Sequence, residues 1–575
     1  MKHVESPDAN EPESKALGLF DAICIILGII IGAGIYETPS TIFSFMGDPW
    51  YALGVWGACG LLALIGGLCY AELATAYPRS GGDYVYLTRA YGPLVGYLFG
   101  WAQLAVIQTG SIGLMAYIFG DYASRLYELP QYSSAIYAGG AIVAVTLLNA
   151  MGVVLGKWVQ NLLTVVKVLG LVGIVIIAML YPAPTESVTG TVTKADGKTL
   201  TFQAKDGSEK TITIDETTKL YVNGSDSVIV PEPKEKQKEE GEANDKKAEP
   251  KRRPVTLADM KAPADAKSEF VVRAAVKNGS TEATIIRASQ STKPPWELVA
   301  LAMVFVFLTY GGWNDAAFVA AEVKDPSRNI PRALIFGILG VMAVYLLVNF
   351  AYIRAVGFEA AIGAKEIAAD AVKQAPWSHS EKAIITLVMI SALGAVNGLI
   401  FTSSRIFSTL GADYSLFSPL GSWSKGSHTP IVSLIIQMLI SLSMVLAVGT
   451  EMGQSLLNQG LEFMGQQKVG WAGQSGFNSL LRCTAPIFWI FFLMTALSLF
   501  ILRRNDADVP RPFRVPGFPI TPLIFVATCG YLVYSGANYA GSLGWIGALL
   551  VAAGIPFFVF SKRTGFSSHG LPQEH

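Results

Sequence analysis

Long apolar stretches recur along the chain, each able to cross about 30 Å of hydrocarbon and separated from the next by a short polar joint. About twelve membrane spans are predicted, at 19–45, 50–77, 93–122, 134–151, 158–181, 296–323, 333–357, 382–411, 430–449, 484–502, 518–538 and 542–561. The series is interrupted once. Residues 182–295 begin with Val, Ile, Leu, Phe and Thr alternating with polar residues, a period-2 pattern that predicts strands. Asp196-Gly197, Asp206-Gly207 and Asn278-Gly279 suit tight hairpin turns. Residues 231–255 are nearly all charged, proline or small, so a disordered linker is expected there.

The resulting layout is a tail (1–18), spans one to five (19–181), the β-rich insertion (182–295), spans six to ten (296–502), spans eleven and twelve with their leading loop (503–561) and a second tail (562–575). The insertion is weakly similar to small β domains of bacterial envelope proteins, on its "GTV…DG…TLTFQ" pattern. About 80 ordered residues there suit a small closed or half-open barrel, since closure removes exposed strand edges. A passenger or stabilising cap is the simplest role for it. Binding an unknown partner and partly covering the outer vestibule are the alternatives.

Composition supports the bilayer reading: 51% hydrophobic, 15% charged, mean hydropathy +0.43. A formal net charge of zero and the lack of a basic face argue against nucleic acid as a partner. The first eighteen residues have no basic n-region, so the first span is read as retained and not as a cleaved signal. Lysine and arginine are about twice as frequent in the loops that share a side with the N-terminus, among them Arg79, Arg89, Lys157, Arg328, Arg503 and Arg511. That bias places both termini in the cytoplasm of a cell membrane and the insertion outside. The five cysteines lie within or at the edges of spans, and the five histidines in loops or tails, which suggests no disulfide framework, metal site or cofactor. No nucleophile, base and orienting group fall at workable positions, so an enzyme is not expected.

Span one carries "IIIGAGIYETP" at residues 29–39, and span six carries Gly311 and Gly312 at a corresponding depth. Unwound backbone in lipid is costly unless it lines a polar cavity, and paired breaks in the leading helices of two five-helix halves are the pattern of inverted-repeat transporters. Free N–H groups at the start of the outer half of helix one can hold a carboxylate, and carbonyls at the breaks can accept from an ammonium. A zwitterion fits without any charged side chain.

The chain resembles the L-type amino acid transporters and their bacterial relatives in the amino acid, polyamine and organocation (APC) superfamily. The matching strings are "GAGIYETP", "AELATAYPRSGGDYVYLTRAYGP", "VQNLLTVVK", "YGGWND…EVKDPSRNIPRAL", "GAVNGLIFTSSR" and "RPFRVPGFP". The resemblance implies an all-α polytopic protein of twelve helices with the five-plus-five inverted repeat of the leucine-transporter fold. It also implies an amino acid carrier working by alternating access, as an exchanger or a proton-coupled permease.

By the same resemblance the amides of Ala33 and Gly34 would bind the substrate carboxylate and the carbonyls of Ile30, Leu308 and Gly311 its amino group. Gly32, Ile35, Thr309, Tyr310 and Asn314 would complete the pocket. Two departures stand out: Ala33 where the family often has serine, and Leu308 where an aromatic gate is common, with Phe307 or Tyr310 as substitutes. A neutral Asn314 where arginine exchangers carry an acid favours neutral substrates; a cationic amino acid or polyamine carrier would depend on Asp315. The loop between spans three and four, "YASRLYELPQYSSAIY" at 122–137, has no cysteine of the kind that links relatives to a glycoprotein subunit, so none is expected. An amino acid sensor is a remote alternative, because the tails are short.

Lys167 lies about ten residues into span five, roughly 15 Å deep, where a cation must be paired or neutralised. In sodium-independent relatives a matching lysine fills the place of a cation. Lys167 is therefore read as a tether or proton carrier reaching the carbonyl of Gly32 or one nearby and Ser403 or Ser404. Glu72, Glu322 and Arg328 are weaker candidates for an inner gate.

Overall fold

The computed structural model describes residues 17–561 except 80, 197, 205–206, 216, 223–226, 230–251, 255–270, 279, 290–293, 365, 374, 377–378, 425 and 472–474. Both outer tail segments, most of the expected linker and Asp206 fall outside the described residues. Among the described residues, eleven helices are long and apolar enough to cross a membrane, and a twelfth span is built from two helices, Leu19–Ile30 and Gly34–Met46, that meet at 49°. The others are span 2 (Pro49–Ala76), span 3 (Pro93–Leu126), span 4 (Ser133–Ala150), span 5 (Val153–Leu180), span 6 (Trp296–Glu322), span 7 (Pro326–Val356), span 8 (Ser380–Asp413), span 9 (Ile431–Gly449), span 10 (Gly476–Asn505), span 11 (Ile520–Ala540) and span 12 (Ser542–Phe560).

Spans 1 and 6 sit in the middle. The first half of span 1 packs on spans 5, 7 and 8, and its second half packs on the first half of span 6. Span 5 shows why the sequence chooses this arrangement. Gln160, Asn161, Thr164 and Lys167 are buried, while Trp158, Leu162, Val165, Leu169, Val172 and Ile176 are exposed. At 3.6 residues per turn those sets fall on opposite faces, so the polar stripe must point into the bundle and the apolar one toward lipid.

Several short elements lie between the spans. Asp83–Tyr91 forms a helix before span 3, Phe358–Ala361 and Ile367–Val372 follow span 7, and Glu451–Phe463 follows span 9. Span 3 also contains a π-helical turn, Gln103–Ile107.

The insertion forms strands β1 (Thr185–Asp196), β2 (Thr199–Ala204), β3 (Glu209–Thr213), β4 (Lys219–Val222), β5 (Ser227–Ile229), β6 (Arg252–Pro254), β7 (Val271–Lys277) and β8 (Ala283–Ser289). Six of them make a sheet in the order β3-β2-β1-β7-β8-β4, antiparallel except for β4 beside β8. Val188, Leu200, Phe202, Ile212, Val272 and Ile286 fill its one buried face. The sheet curls, with the Thr213 amide donating to the Thr281 carbonyl at 2.8 Å, but no ladder joins β3 to β4, so it is not a closed barrel. Residues 252–254 of the expected linker instead pair antiparallel with β5, because backbone pairing needs no apolar side chain.

This sheet docks on the loop after span 7. The Arg287 guanidinium donates to the carbonyls of Glu359 (3.1 Å) and Ile362 (3.3 Å) and lies 3.2 Å from the Glu359 carboxylate, which is fully buried. Arg273 stands 3.7 Å from Asp48 at the start of span 2. Burial pushes the Glu359 carboxyl up to about 7, against the pull of Arg287 and Arg273. A carboxyl raised above its ordinary 4.5 binds extra protons in the docked state, so docking should weaken as pH rises from about 4.5 through about 7. Arg287→Ala would leave a buried carboxylate without its cation. Faster hydrogen exchange at residues 358–362 is the expected outcome, and unchanged exchange would show that the contact does not hold the sheet.

Candidate functional site

Gly311 and Gly312 end the helix Trp296–Tyr310, and Gly312 has φ +107°, a conformation open to glycine and strained for any side chain. The chain continues as a tighter 3-10 helix, Trp313–Glu322. In span 1 the helix stops at Ile30 and resumes at Gly34. The amides of Ala33 and Gly34, at the positive end of the second helix, donate to no acceptor among the described residues.

The two breaks face one cavity of about 200 Å³. A single water needs only about 10–15 Å³ measured this way, so the space suits a small solute. Ile30, Gly32, Gly34, Leu308, Thr309, Gly311 and Asn314 line it, and so does Asp315. Thr38, Leu114, Phe305 and Phe477 extend it toward the end of the bundle that carries the β sheet. Aromatic walls come from Phe305, Phe477, Phe488 and Trp489.

Three expected pocket residues have side chains that lie outside the cavity. Ala33 and Ile35 are fully buried and do not line the cavity, leaving only the backbone of Ala33 as a contributor. Tyr310 points the other way, its hydroxyl donating to the Trp56 carbonyl at 3.2 Å and its ring packed on Trp56 and Tyr345. Phe307 packs on Trp489, so neither it nor Tyr310 replaces the missing aromatic gate at Leu308. The Ile30 carbonyl, expected to receive the substrate amino group, is occupied: the Gly32 amide (2.7 Å) and the Tyr345 hydroxyl (2.8 Å) both donate to it, and that hydroxyl sits 3.3 Å from the Thr309 carbonyl, linking the two breaks.

Asp315 reaches the cavity on the segment after Gly312, which runs as a 3-10 helix. Its carboxylate accepts from Gln108 Nε2 (3.2 Å) and Asn314 Nδ2 (3.0 Å). Gln108 follows directly on the π turn of span 3, which brings it onto the cavity wall. A glutamine spaced five from Gln103 in an apolar span was the signal available for it.

Lys167 is fully buried, and its ammonium donates to the carbonyls of Gly28 (2.7 Å), Ile31 (2.8 Å) and Ser391 (3.1 Å). The expected partners are corrected accordingly. Gly32 is replaced by Ile31 and Gly28, the carbonyls left free where the helix ends. Ser403 and Ser404 lie about 18 Å further along span 8 than Ser391 at 1.5 Å per residue, beyond a lysine's reach. Ser403 instead bonds Gln437 (2.7 Å), and Ser404 accepts from Arg405 (3.0 Å).

At the end away from the sheet, Glu322 pairs with Arg405 at 2.8 and 3.2 Å, both buried, while Arg328 is exposed and takes no part. Arg405 is the last residue of the string "GAVNGLIFTSSR", where only an arginine deep in an apolar span marks it. Glu72 is also buried, and it holds Arg503 (2.7 Å) and the Val515 amide (2.7 Å), pinning the loop before span 11 to span 2. No group of metal-ligating side chains occurs among the described residues.

With this geometry in hand, the chain matches the family model described as "Amino acid permease" over residues 17–217 and 270–558. It is 25% identical over 523 residues to the b(0,+)-type amino acid transporter 1 of Mus musculus, covering 90% of this chain and 82% of the mouse protein. It is 25% identical to the Cystine/glutamate transporter of Homo sapiens over 576 residues (98% and 89% covered). The same identity holds to the Large neutral amino acids transporter small subunit 2 of Mus musculus over 556 residues (95% and 80% covered).

Proposed function

The chain belongs to the amino acid permease family, a branch of the APC superfamily, and from that premise we propose that it carries neutral α-amino acids without sodium, by alternating access around the cavity between its two breaks. The observation that supports this most is the pairing of free Ala33 and Gly34 amides with break-site carbonyls across one cavity. The amides would take the carboxylate, and the carbonyls of Leu308 and Gly311 the amino group. In this reading both termini are cytoplasmic, the β sheet lies outside the cell, and Glu322–Arg405 and Glu72–Arg503 hold the inner end shut.

Lys167 acts as the tether. Its ammonium holds the end of the first half-helix to span 8, a place a sodium ion would otherwise have to fill. Neutral substrates are favoured because both Asp315 oxygens are engaged by the neutral amides of Gln108 and Asn314. A cationic substrate is the second reading, and the position of Asp315 on the cavity wall is what favours it. One relative is named as a small subunit, so the comparisons lend no support to a chain without a partner subunit. The proposal of no disulfide-linked partner rests on five buried cysteines and a 127–132 region that has none.

The test is uptake of labelled amino acids into proteoliposomes, with sodium replaced by choline and a panel of neutral, cationic and anionic competitors. Competition by neutral amino acids alone is expected; uptake that needs sodium, or that only cationic compounds inhibit, would refute the reading. Leu308→Trp, which fills part of the cavity, should raise KM for large neutral substrates about tenfold or more while sparing alanine, given overpacking costs of about 1–3 kcal/mol.

A further inference from the structure

Transport through the cavity gives the inserted sheet no task, yet the loop it grips after span 7 is tied to two of the cavity's walls. Thr38 of span 1 and Leu114 of span 3 carry the cavity toward the sheet end. Just past Thr38, the Ser40 carbonyl accepts from the Gly363 amide at 3.4 Å, and the Phe43 ring packs on Phe358 with centroids 5.5 Å apart. Further along span 3, about 16 Å beyond Leu114 at 1.5 Å per residue, Arg125 pairs with Glu366 at 2.5 Å. The loop therefore straps the ends of both walls together beyond the cavity. It is packed in place, since Ile367, Ala368, Ala371 and Val372 are all buried.

The sheet holds this strap from its other side. Arg287 donates to the carbonyls of Glu359 and Ile362 and pairs with the buried Glu359 carboxylate. Its guanidinium is steadied by the Tyr221 ring, 4.1 Å away on the neighbouring β4. The sheet is also fixed to the bundle on its own account. Arg273 reaches Asp48 at the start of span 2, with Gly47 so close that a Cβ there would lie 3.2 Å from Arg273 Nη1. The Ala183 amide, just before β1, donates to the Arg354 carbonyl near the end of span 7 at 2.9 Å. Lifting the strap off the sheet gives up the ion pair and both carbonyl bonds of Arg287 together, and a buried carboxylate stripped of its cation is costly. The loop is thus either seated or released, with little between.

We propose that the inserted sheet is a clamp on the entrance to the cavity: seated through Arg287 and Arg273, it holds the loop after span 7 across the ends of spans 1 and 3. Solute reaches the cavity from the sheet end only when that loop lets go. The proposal rests on the transport reading for what the cavity carries, but not for how its mouth is held. A passenger domain could be loosened or fixed without changing access or flux, and a clamp could not.

The experiment has two arms. The first follows labelling of Thr38→Cys, a cavity-lining thiol beside five buried native cysteines, by a membrane-impermeant maleimide in proteoliposomes without substrate. Adding Arg287→Ala and Arg273→Ala should speed labelling about fivefold or more, and Arg287→Lys in place of the alanine, which keeps a donor, should fall between. An unchanged rate in the loosened variant would overturn the clamp. The second arm fixes the contact instead. Arg287→Cys with Glu359→Cys removes both charges together, and a reductant-cleavable bis-methanethiosulfonate bridges the two thiols. Bridging should abolish counterflow of a neutral amino acid, and reductant should restore it. Counterflow at the unbridged rate after bridging would overturn the clamp even where the loosened variant fails to fold. Absence of wild-type counterflow with any amino acid would instead defeat the transport reading, and the labelling arm would still decide whether the sheet guards the cavity.

Discussion

Lys167→Met should abolish transport and lower thermal stability, although methionine nearly matches lysine in length and volume. The ammonium is the donor for three buried carbonyls, Gly28, Ile31 and Ser391, drawn from span 1 at its break and from span 8. Removing it strands those acceptors, at about 1–3 kcal/mol each where nothing replaces the bond. The site cannot relax around a larger cation either, because Gly394 approaches so closely that a Cβ there would stand 2.7 Å from Lys167 Nζ. Lys167→Arg should therefore fail too. Uptake in proteoliposomes and a melting curve in detergent separate the two effects, and a Met variant with wild-type uptake would show that the lysine merely fills space.

The second large effect is expected at Gly312. An alanine there must adopt φ +107° and would place its Cβ 2.5 Å from Ile29 Cγ2 in the first half of span 1. Backbone strain of about 1–3 kcal/mol adds to an overpacking cost of about 1–3 kcal/mol. Both fall on the contact between the two breaks. Gly311 offers a control, with φ −61° and a nearest neighbour, the Leu308 carbonyl, at 3.1 Å. Gly312→Ala should lose uptake while still reaching the membrane in folded form, and Gly311→Ala should lose much less. Equal loss in the two variants would mean that the position of the turn is unimportant.

The spans were legible because a bilayer imposes a length and a polarity on each helix, and the breaks because glycine pairs in two spans had no other good reason to sit at matching depth. Side-chain direction was harder to read. The facing of Asp315 depends on whether the chain after Gly312 runs as α or 3-10 helix, and "WNDAAF" does not say which. Lys167 was identifiable from its depth alone, but its partners were not, because they are backbone carbonyls. Gln108 required knowledge of a π turn, Tyr345 required the packing of span 7 across both breaks, and Arg405 sat inside a string read for its serines. The sheet's alternation was plain, whereas the β5–β6 pairing within a charged stretch involves backbone only and leaves no side-chain pattern.

The central claim is that an amino acid binds between the two breaks. Thr38 lines that cavity and Thr309 Oγ1 donates to it across the gap at 3.2 Å, while all five native cysteines are buried. Thr38→Cys thus places a single reporter thiol in the cavity. The measurement is the rate of thiol labelling of this variant in sodium-free proteoliposomes, with and without a transported neutral amino acid. Labelling should slow as the amino acid saturates, at concentrations that match its uptake; labelling at the same rate under saturating substrate would rule out binding between the breaks.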